Sequence, residues 1–293
     1  MQPVQREKLF TNHELLTLLW PLIIEQTLSV LVGMADTVMV SSVGEAAISG
    51  VSLVDMINQL IITVFAALAT GGAVVTSQYL GAKKPEQAAR SAGQLVGLSA
   101  LLGLAVAAFC LLTRRPMLRL LFGTITDDVM DAAVIYFTIT ALSFPFLALY
   151  NAGAAIFRST SNSAVSMKVS VIVNAINFGG NAICIYLLGM GVEGVAIPTL
   201  ISRAVGAFII LALAAQHEYV LHVTPRSVTH LERGTVQSIL RIGIPSACEN
   251  SLFQLGRVLV VSMISLFGTV HISAGGVLHQ KTDAVGLHCP GHC

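Results

Sequence analysis

Residues 15–40 read LLTLLWPLIIEQTLSVLVGMADTVMV, and this stretch decides the fold. A helix needs about 20 predominantly apolar residues to cross the hydrocarbon core of a bilayer, and this stretch is longer. It contains neither lysine nor arginine, and its ionisable side chains are two carboxylates, Glu25 and Asp36. An isolated strand cannot satisfy its backbone hydrogen bonds in lipid, so the stretch predicts a transmembrane helix.

The rest of the chain has the same character. Of its 293 residues, 55% are hydrophobic and 11% are charged, whereas a typical soluble domain carries about 25% charged residues. The mean hydropathy is +0.80. The net charge of +1 gives no basic surface for nucleic acid, so no nucleic-acid partner is expected. We therefore predict an all-α membrane protein whose main surroundings are the lipid bilayer.

Further apolar stretches predict seven membrane spans in total. They cover residues 15–40, 48–68 (extending up to 79), 92–112, 129–150, 165–188, 192–215 and 239–267. With the amino terminus in the cytoplasm, ten lysines and arginines lie in or near cytoplasmic loops and three in outer loops. Cytoplasmic loops carry such an excess. We therefore predict a multi-pass protein of the plasma membrane with a cytoplasmic amino terminus.

An internal repeat divides the chain. Shifting the sequence by 224 residues places Pro245 and Glu249 on Pro21 and Glu25. Six predicted spans separate the two copies, and an even number keeps their orientation, as in the parallel repeats of transporters. We predict a six-helix lobe over residues 1–216 and a cytoplasmic linker over 217–238. Residues 239–274 would be the first helix of a second lobe, and 275–293 an aberrant tail.

Polar residues inside the spans are the candidate site. An ionisable group in the hydrocarbon core is costly and therefore a functional candidate by default, which singles out Asp36. It could load and unload a proton or hold a sodium ion; alternatively, it is a hydrated carboxyl near the outer interface. The spacings of Asn174, Asn177 and Asn181 put them on one helical face, and Thr199 lies in the next span. Such amides could equally join helices without binding anything.

Other charged residues in the spans have more than one possible role. Glu25 and Glu249 each follow a helix proline by four residues, where they could line a wet crevice or simply pack near the interface. Asp55 is expected near the outer end of the second span, without a role in the site. Arg203 and Arg257 are expected to be buried or to extend their heads toward water.

No grouping of residues predicts an enzyme. A phosphate-binding glycine loop with lysine, a zinc-protease motif and a nucleophile elbow are all missing from the sequence. Residues 288–293 contain histidine and cysteine but have no second half-site, so no metal site is predicted. We expect no enzymatic activity and no cofactor, only a coupling ion, H⁺ or Na⁺.

Several stretches together resemble the multidrug and toxic compound extrusion (MATE) family. They are PLIIEQ at 21–26, GMADTVMV at 33–40, QYLGA at 78–82, NFGGN at 177–181, GVAIPT at 194–199 and IPSACENS at 244–251. The resemblance runs over residues 14–272. It implies two six-helix lobes around a central cavity, and export of cationic organic compounds by proton- or sodium-coupled antiport with alternating access.

The same resemblance assigns roles to individual residues. It implies that Asp36 couples transport to a cation, with Asn177, Asn181 and Thr199 beside it. Several members of the family have aspartate where this chain has Asn181, so a sodium cage is less favoured here. The match fails after residue 274, from which we expect a truncated chain that lacks the rest of its second lobe. The alternatives are a lipid-linked oligosaccharide flippase of the same superfamily and a non-functional truncated remnant.

Overall fold

Seven α-helices and a short π-helical segment, Ile183–Leu187, form the secondary structure of the part of the chain that the structure describes. The structure is a computed structural model; it describes residues 12–122, 126–216, 227–228 and 232–266, with side chains from 19–121, 126–216, 227–228 and 232–256. No strand occurs in these ranges, which confirms the all-α prediction. The helices are α1 (Asn12–Ser41), α2 (Glu45–Gly81), α3 (Pro85–Phe122), α4 (Asp127–Ser159), α5 (Ser163–Ala182), α6 (Glu193–Ala214) and α7 (Arg233–Leu266).

Six of the described helices, α1 to α6, are long and apolar enough to cross a membrane. Each matches one of the first six predicted spans. Helix α7 carries Arg241, Glu249 and Arg257, and the end of the seventh predicted span, beyond Leu266, lies outside the described residues. That α7 crosses the membrane therefore stays a prediction. Residues 217–226 of the predicted linker and the whole tail, 275–293, also lie outside the described part.

Some helices are longer than the apolar stretches that predicted them. Helix α3 has 38 residues and continues through Arg114, Arg115 and Pro116 to Phe122, although its apolar stretch ends near residue 112. Arginine is a good helix former, and its long side chain can reach water from the edge of the bilayer. Hydropathy thus marks the part of a helix that lies in lipid, and the helix itself can extend beyond it.

Helix α4 forms the centre of the bundle. It packs against α2, α3 and α6, and its Phe137 and Phe144 are fully buried. The ring of Phe65, from α2, meets Phe144 edge to face with a centroid distance of 6.3 Å. Such aromatic contacts favour one relative rotation of the two helices. The core around α4 therefore fixes which faces of α2 and α6 point into the bundle.

Helix α1 is attached along one side only. It packs mainly against α5 and less extensively against α2. Its Trp20, Leu31 and Val38 are all more than half exposed, as expected for side chains in contact with lipid. Because α5 is its main neighbour, Asp36 of α1 has its hydrogen-bond partner, Asn181, on α5.

Helix α7 packs against α2 through glycine. A Cβ atom added to Gly71 of α2 would lie 2.7 Å from the carbonyl oxygen of Ile239 and 2.9 Å from the backbone nitrogen of Gly243. Any larger residue at position 71 would force the two backbones apart. This contact joins α7 to the six-helix lobe.

Candidate functional site

Four residues singled out from the sequence lie in one chain of hydrogen bonds. The Nδ2 of Asn181 donates to Oδ1 of Asp36 at 2.7 Å and lies 3.5 Å from Oδ1 of Asn177. The Nδ2 of Asn177 in turn donates to Oγ1 of Thr199 at 3.0 Å. The chain thus runs from α1 through α5 to α6. The structure brings these side chains together, and their role in ion coupling stays a prediction.

A close contact between α5 and α6 makes this chain of hydrogen bonds possible. A Cβ atom on Gly180 would lie 2.7 Å from Cβ of Pro198, so the glycine lets the two helices approach. Asn181 and Thr199 are the next residues along each helix. The approach therefore brings the amides of α5 within reach of the threonine on α6.

Three members of the hydrogen-bonded chain, Asp36, Asn177 and Thr199, line a cavity of about 370 Å³, here called the lobe cavity. Five helices contribute to its wall: α1 with Asp36, α2 with Asp55, α4 with Tyr136, α5 with Asn177, and α6 with Thr199 and Arg203. It lies in the half of the bundle that contains the α1–α2 and α5–α6 connections. Asn174, the third predicted amide, also lines it and donates through Nδ2 to Oγ of Ser170 at 3.2 Å.

Asp55 faces the lobe cavity, although the sequence predicts no role for it in the site. Its Oδ1 accepts hydrogen bonds from Nδ2 of Asn58 at 3.3 Å and from the hydroxyl of Tyr136 at 3.1 Å. Helix α2 begins at Glu45, so Asp55 is almost three turns inside it. The available signal was an ionisable residue well inside a span, the same rule that had singled out Asp36.

Arg203 also lines the lobe cavity. Its Nη1 donates to Oγ of Ser143 at 2.7 Å. Within the described residues, no carboxylate lies within 4.0 Å of the guanidinium. The ion pairs found there join Arg90 to Glu232 and Arg158 to Glu25. The sequence predicts a buried or snorkelling cation at Arg203, and its spacing of four from Thr199 places both on one helical face.

Among the buried amide oxygens that lack a partner in the described structure, two lie beside the carboxylates of the cavity. They are Oδ1 of Asn181 and Oδ1 of Asn58, and each belongs to an amide that donates to a carboxylate, Asp36 or Asp55. A buried acceptor without a donor is unfavourable, so a proton donor or a cation beside it would be stabilised. Oxygen ligands suit hard cations such as sodium better than transition metals. Within the described residues, no cluster of three or more His, Cys, Asp or Glu could hold a metal ion.

The two glutamates that are candidates for lining a cavity do not line the lobe cavity. Oε1 of Glu25 is 3.8 Å from Nη1 of Arg158, and its Oε2 accepts a hydrogen bond from Oγ of Ser166 at 3.3 Å. Arg158 also borders an open depression of about 540 Å³ between α2 and α4. Glu249 is exposed on α7. Neither glutamate lines the lobe cavity, and the side chain of Arg257 lies outside the described part.

Comparison with known proteins gives a family match. The family model described as MatE matches residues 21–183. The uncharacterized transporter YisQ of Bacillus subtilis is 32% identical over 262 residues, 88% of this chain and 57% of YisQ. The probable multidrug resistance protein NorM of Thermotoga maritima is 26% identical, over 88% of this chain and 55% of NorM. This chain thus spans little more than half the length of either relative.

Solved structures share the fold. An outward-facing multidrug resistance MATE family transporter of the MOP superfamily superposes with a TM-score of 0.82 and 24% identity. The match covers 93% of this chain and 61% of that transporter. At this level of identity the similarity establishes the fold alone.

Proposed function

The chain belongs to the MatE family, and on that premise we propose that it forms the ion-coupling lobe of a transporter that exports organic cations. Export would be driven by antiport of a proton or a sodium ion with alternating access. A second six-helix lobe, as the family resemblance implies, would face this one across a central cavity. The protein would lie in the plasma membrane with its amino terminus in the cytoplasm. The name of the Thermotoga relative, a probable multidrug resistance protein, supports a broad set of substrates.

The surroundings of Asp36 are the observation on which the proposal rests. It lines the lobe cavity, its hydrogen bond comes from the neutral amide of Asn181, and within the described residues it has no ion pair. In a buried ion pair the positive partner compensates the carboxylate, whereas a buried carboxylate with neutral partners has no positive charge beside it. A proton or a sodium ion would supply that charge, and the lobe cavity gives the ion a route to it.

The position of Asp36 on α1 supports a link to conformational change. Helix α1 packs mainly on α5, and Asp36 is bonded to Asn181 of that same helix. A cation at Asp36 would change the strength of this α1–α5 contact. A ligand shifts an equilibrium only through its different affinity for the two states. Ion binding at this contact is therefore suited to favour one position of α1 over another.

Efflux from everted membrane vesicles tests the proposal. Uptake of ethidium is followed by fluorescence under a proton gradient alone and under a sodium gradient alone, which identifies the coupling ion. We expect Asp36→Asn to lower the gradient-driven rate by a factor on the order of ten or more, because the amide removes the charge that exchanges with the ion.

Asp131→Asn is the matched control. It removes a carboxylate from an exposed position on α4, outside the lobe cavity. We expect it to leave the rate within about twofold of the unmodified chain, since surface substitutions usually have small effects. Equal rates for Asp36→Asn and the unmodified chain would contradict the coupling role. Absence of gradient-driven transport by this chain together with a second lobe would contradict the proposed export.

A further inference from the structure

The lobe cavity has charges of both signs on its wall. We propose that Arg203 forms an anion subsite there, so that the cavity selects organic compounds carrying a carboxylate as well as a cationic group. This inference rests on the proposed function and narrows its substrate class from organic cations to zwitterionic compounds.

Arg203 has hydrogen-bonding capacity to spare. A guanidinium carries five N–H donors in a planar fork, and the contact in the described structure uses Nη1, which donates to Ser143. The side chain is only partly buried and lines the lobe cavity. Its remaining donors are therefore within reach of a ligand in that space.

The carboxylates of the same cavity have separate partners. Asp55 accepts from Asn58 and Tyr136, and Asp36 accepts from Asn181. In the described residues neither carboxylate lies within 4.0 Å of Arg203, although charged groups elsewhere in the lobe do pair, as Glu25 and Arg158 show. The positive and negative groups thus face a common space without neutralising each other in contact.

A zwitterion complements this arrangement better than a simple cation does. The cationic group of a ligand can lie beside Asp36 and Asp55, while its carboxylate can accept two parallel hydrogen bonds from the guanidinium of Arg203. A simple cation that displaced the water would leave the guanidinium desolvated and unpaired, which is unfavourable. The volume of about 370 Å³ is in the range of sites for small organic molecules.

Two fluorescent dyes that differ in one group test whether a carboxylate on the ligand strengthens binding. Rhodamine 110 carries a cationic xanthylium ring system and a free carboxylate, and rhodamine 123 is its methyl ester. Dissociation constants are measured by fluorescence anisotropy on the full chain in detergent. We expect rhodamine 110 to bind about tenfold more tightly, because charge-assisted bidentate hydrogen bonds are strong.

Substitutions at position 203 then assign the preference to the guanidinium. Arg203→Gln is expected to weaken rhodamine 110 and to leave rhodamine 123 unchanged or tighter, because a positive charge next to the bound cation is lost. Arg203→Lys keeps the charge but not the fork, so an intermediate preference is expected. Arg158→Gln removes a cation outside the cavity and should keep the full preference for rhodamine 110.

Three results would overturn the inference. Equal dissociation constants for the two dyes on the unmodified chain would do so, even if Arg203→Gln could not be purified. A preference for rhodamine 110 that survives in Arg203→Gln would do so as well. In both of these cases the dyes still bind, so this inference fails and the proposed function stands. The third result is that neither dye binds, which contradicts both.

Discussion

Two carboxylates on the same helix have opposite surroundings. Glu25 lies beside the guanidinium of Arg158 and accepts a hydrogen bond from Ser166. Asp36, three turns further along α1, lines the lobe cavity and is bonded to the amide of Asn181. The first carboxylate has a cation supplied by the protein, and the second does not. The difference indicates that Glu25 holds α1 to α4 and α5, while Asp36 is left to bind an ion from outside.

Exposure supports the same distinction. The side chains of Glu25 and Arg158 are 18% and 37% exposed, against 57% and 65% for Glu232 and Arg90, the other ion pair in the described residues. A partly shielded pair is less screened by solvent than an exposed one. The Glu25–Arg158 contact is thus expected to contribute to the attachment of α1, whereas the Glu232–Arg90 contact contributes little.

The largest effect is expected when a second carboxylate is placed beside Asp36. Asn181→Asp would place it beside Asp36, so sodium affinity should rise by a factor on the order of ten or more, since affinity grows with the negative charge of the ligands. Binding of ²²Na⁺ at pH 8 measures this change. Asn174→Asp is the control on the same helix, because Asn174 also lines the cavity but bonds to Ser170. Equal sodium affinity in both variants would show that the new carboxylate does not need to contact Asp36 in order to raise sodium affinity.

A smaller effect is expected when the ion pair between Glu25 and Arg158 is removed. A double-mutant cycle of Glu25→Gln and Arg158→Gln should give a coupling free energy of about 1 kcal/mol in the free energy of unfolding. Thermal unfolding in detergent provides the measurement. The same cycle on Glu232 and Arg90 should give a value near zero, because that pair is mostly exposed. Comparable coupling in the two pairs would remove the structural distinction between them.

The smallest effect is expected at Ser166. Its hydroxyl has a single hydrogen, and both Oε2 of Glu25 at 3.3 Å and the carbonyl oxygen of Ser163 at 3.0 Å are within reach. Ser166→Ala should therefore destabilise the protein by only about 0.5 kcal/mol, at the low end for a hydrogen bond. In a Glu25→Gln background the cost should be lower still. A loss larger than that of the Glu25–Arg158 coupling would mean that the hydroxyl, and not the guanidinium, anchors Glu25.

Sequence reasoning reached Asp36 and its neighbours because their signals are local. An aspartate in an apolar stretch is visible without any structure, and the spacing of Asn177 and Asn181 shows that they share a helical face. It missed Asp55 and Arg203 for a different reason. An ionisable residue in a span does not by itself show which way its helix turns it, so no local pattern placed Asp55 and Arg203 in the same cavity.

The sequence by itself determined the membrane setting, the helical fold and the presence of an unneutralised carboxylate, because composition and spacing along one chain are sufficient for these. It also predicts a repeat that relates α1 to α7. Only the tertiary structure decided which charged groups share the lobe cavity. That depends on the rotation of each helix about its axis, which is set by packing such as that of Phe137 and Phe144 in α4 and of Gly180 against Pro198. These contacts join residues far apart in the chain, so no local pattern encodes them.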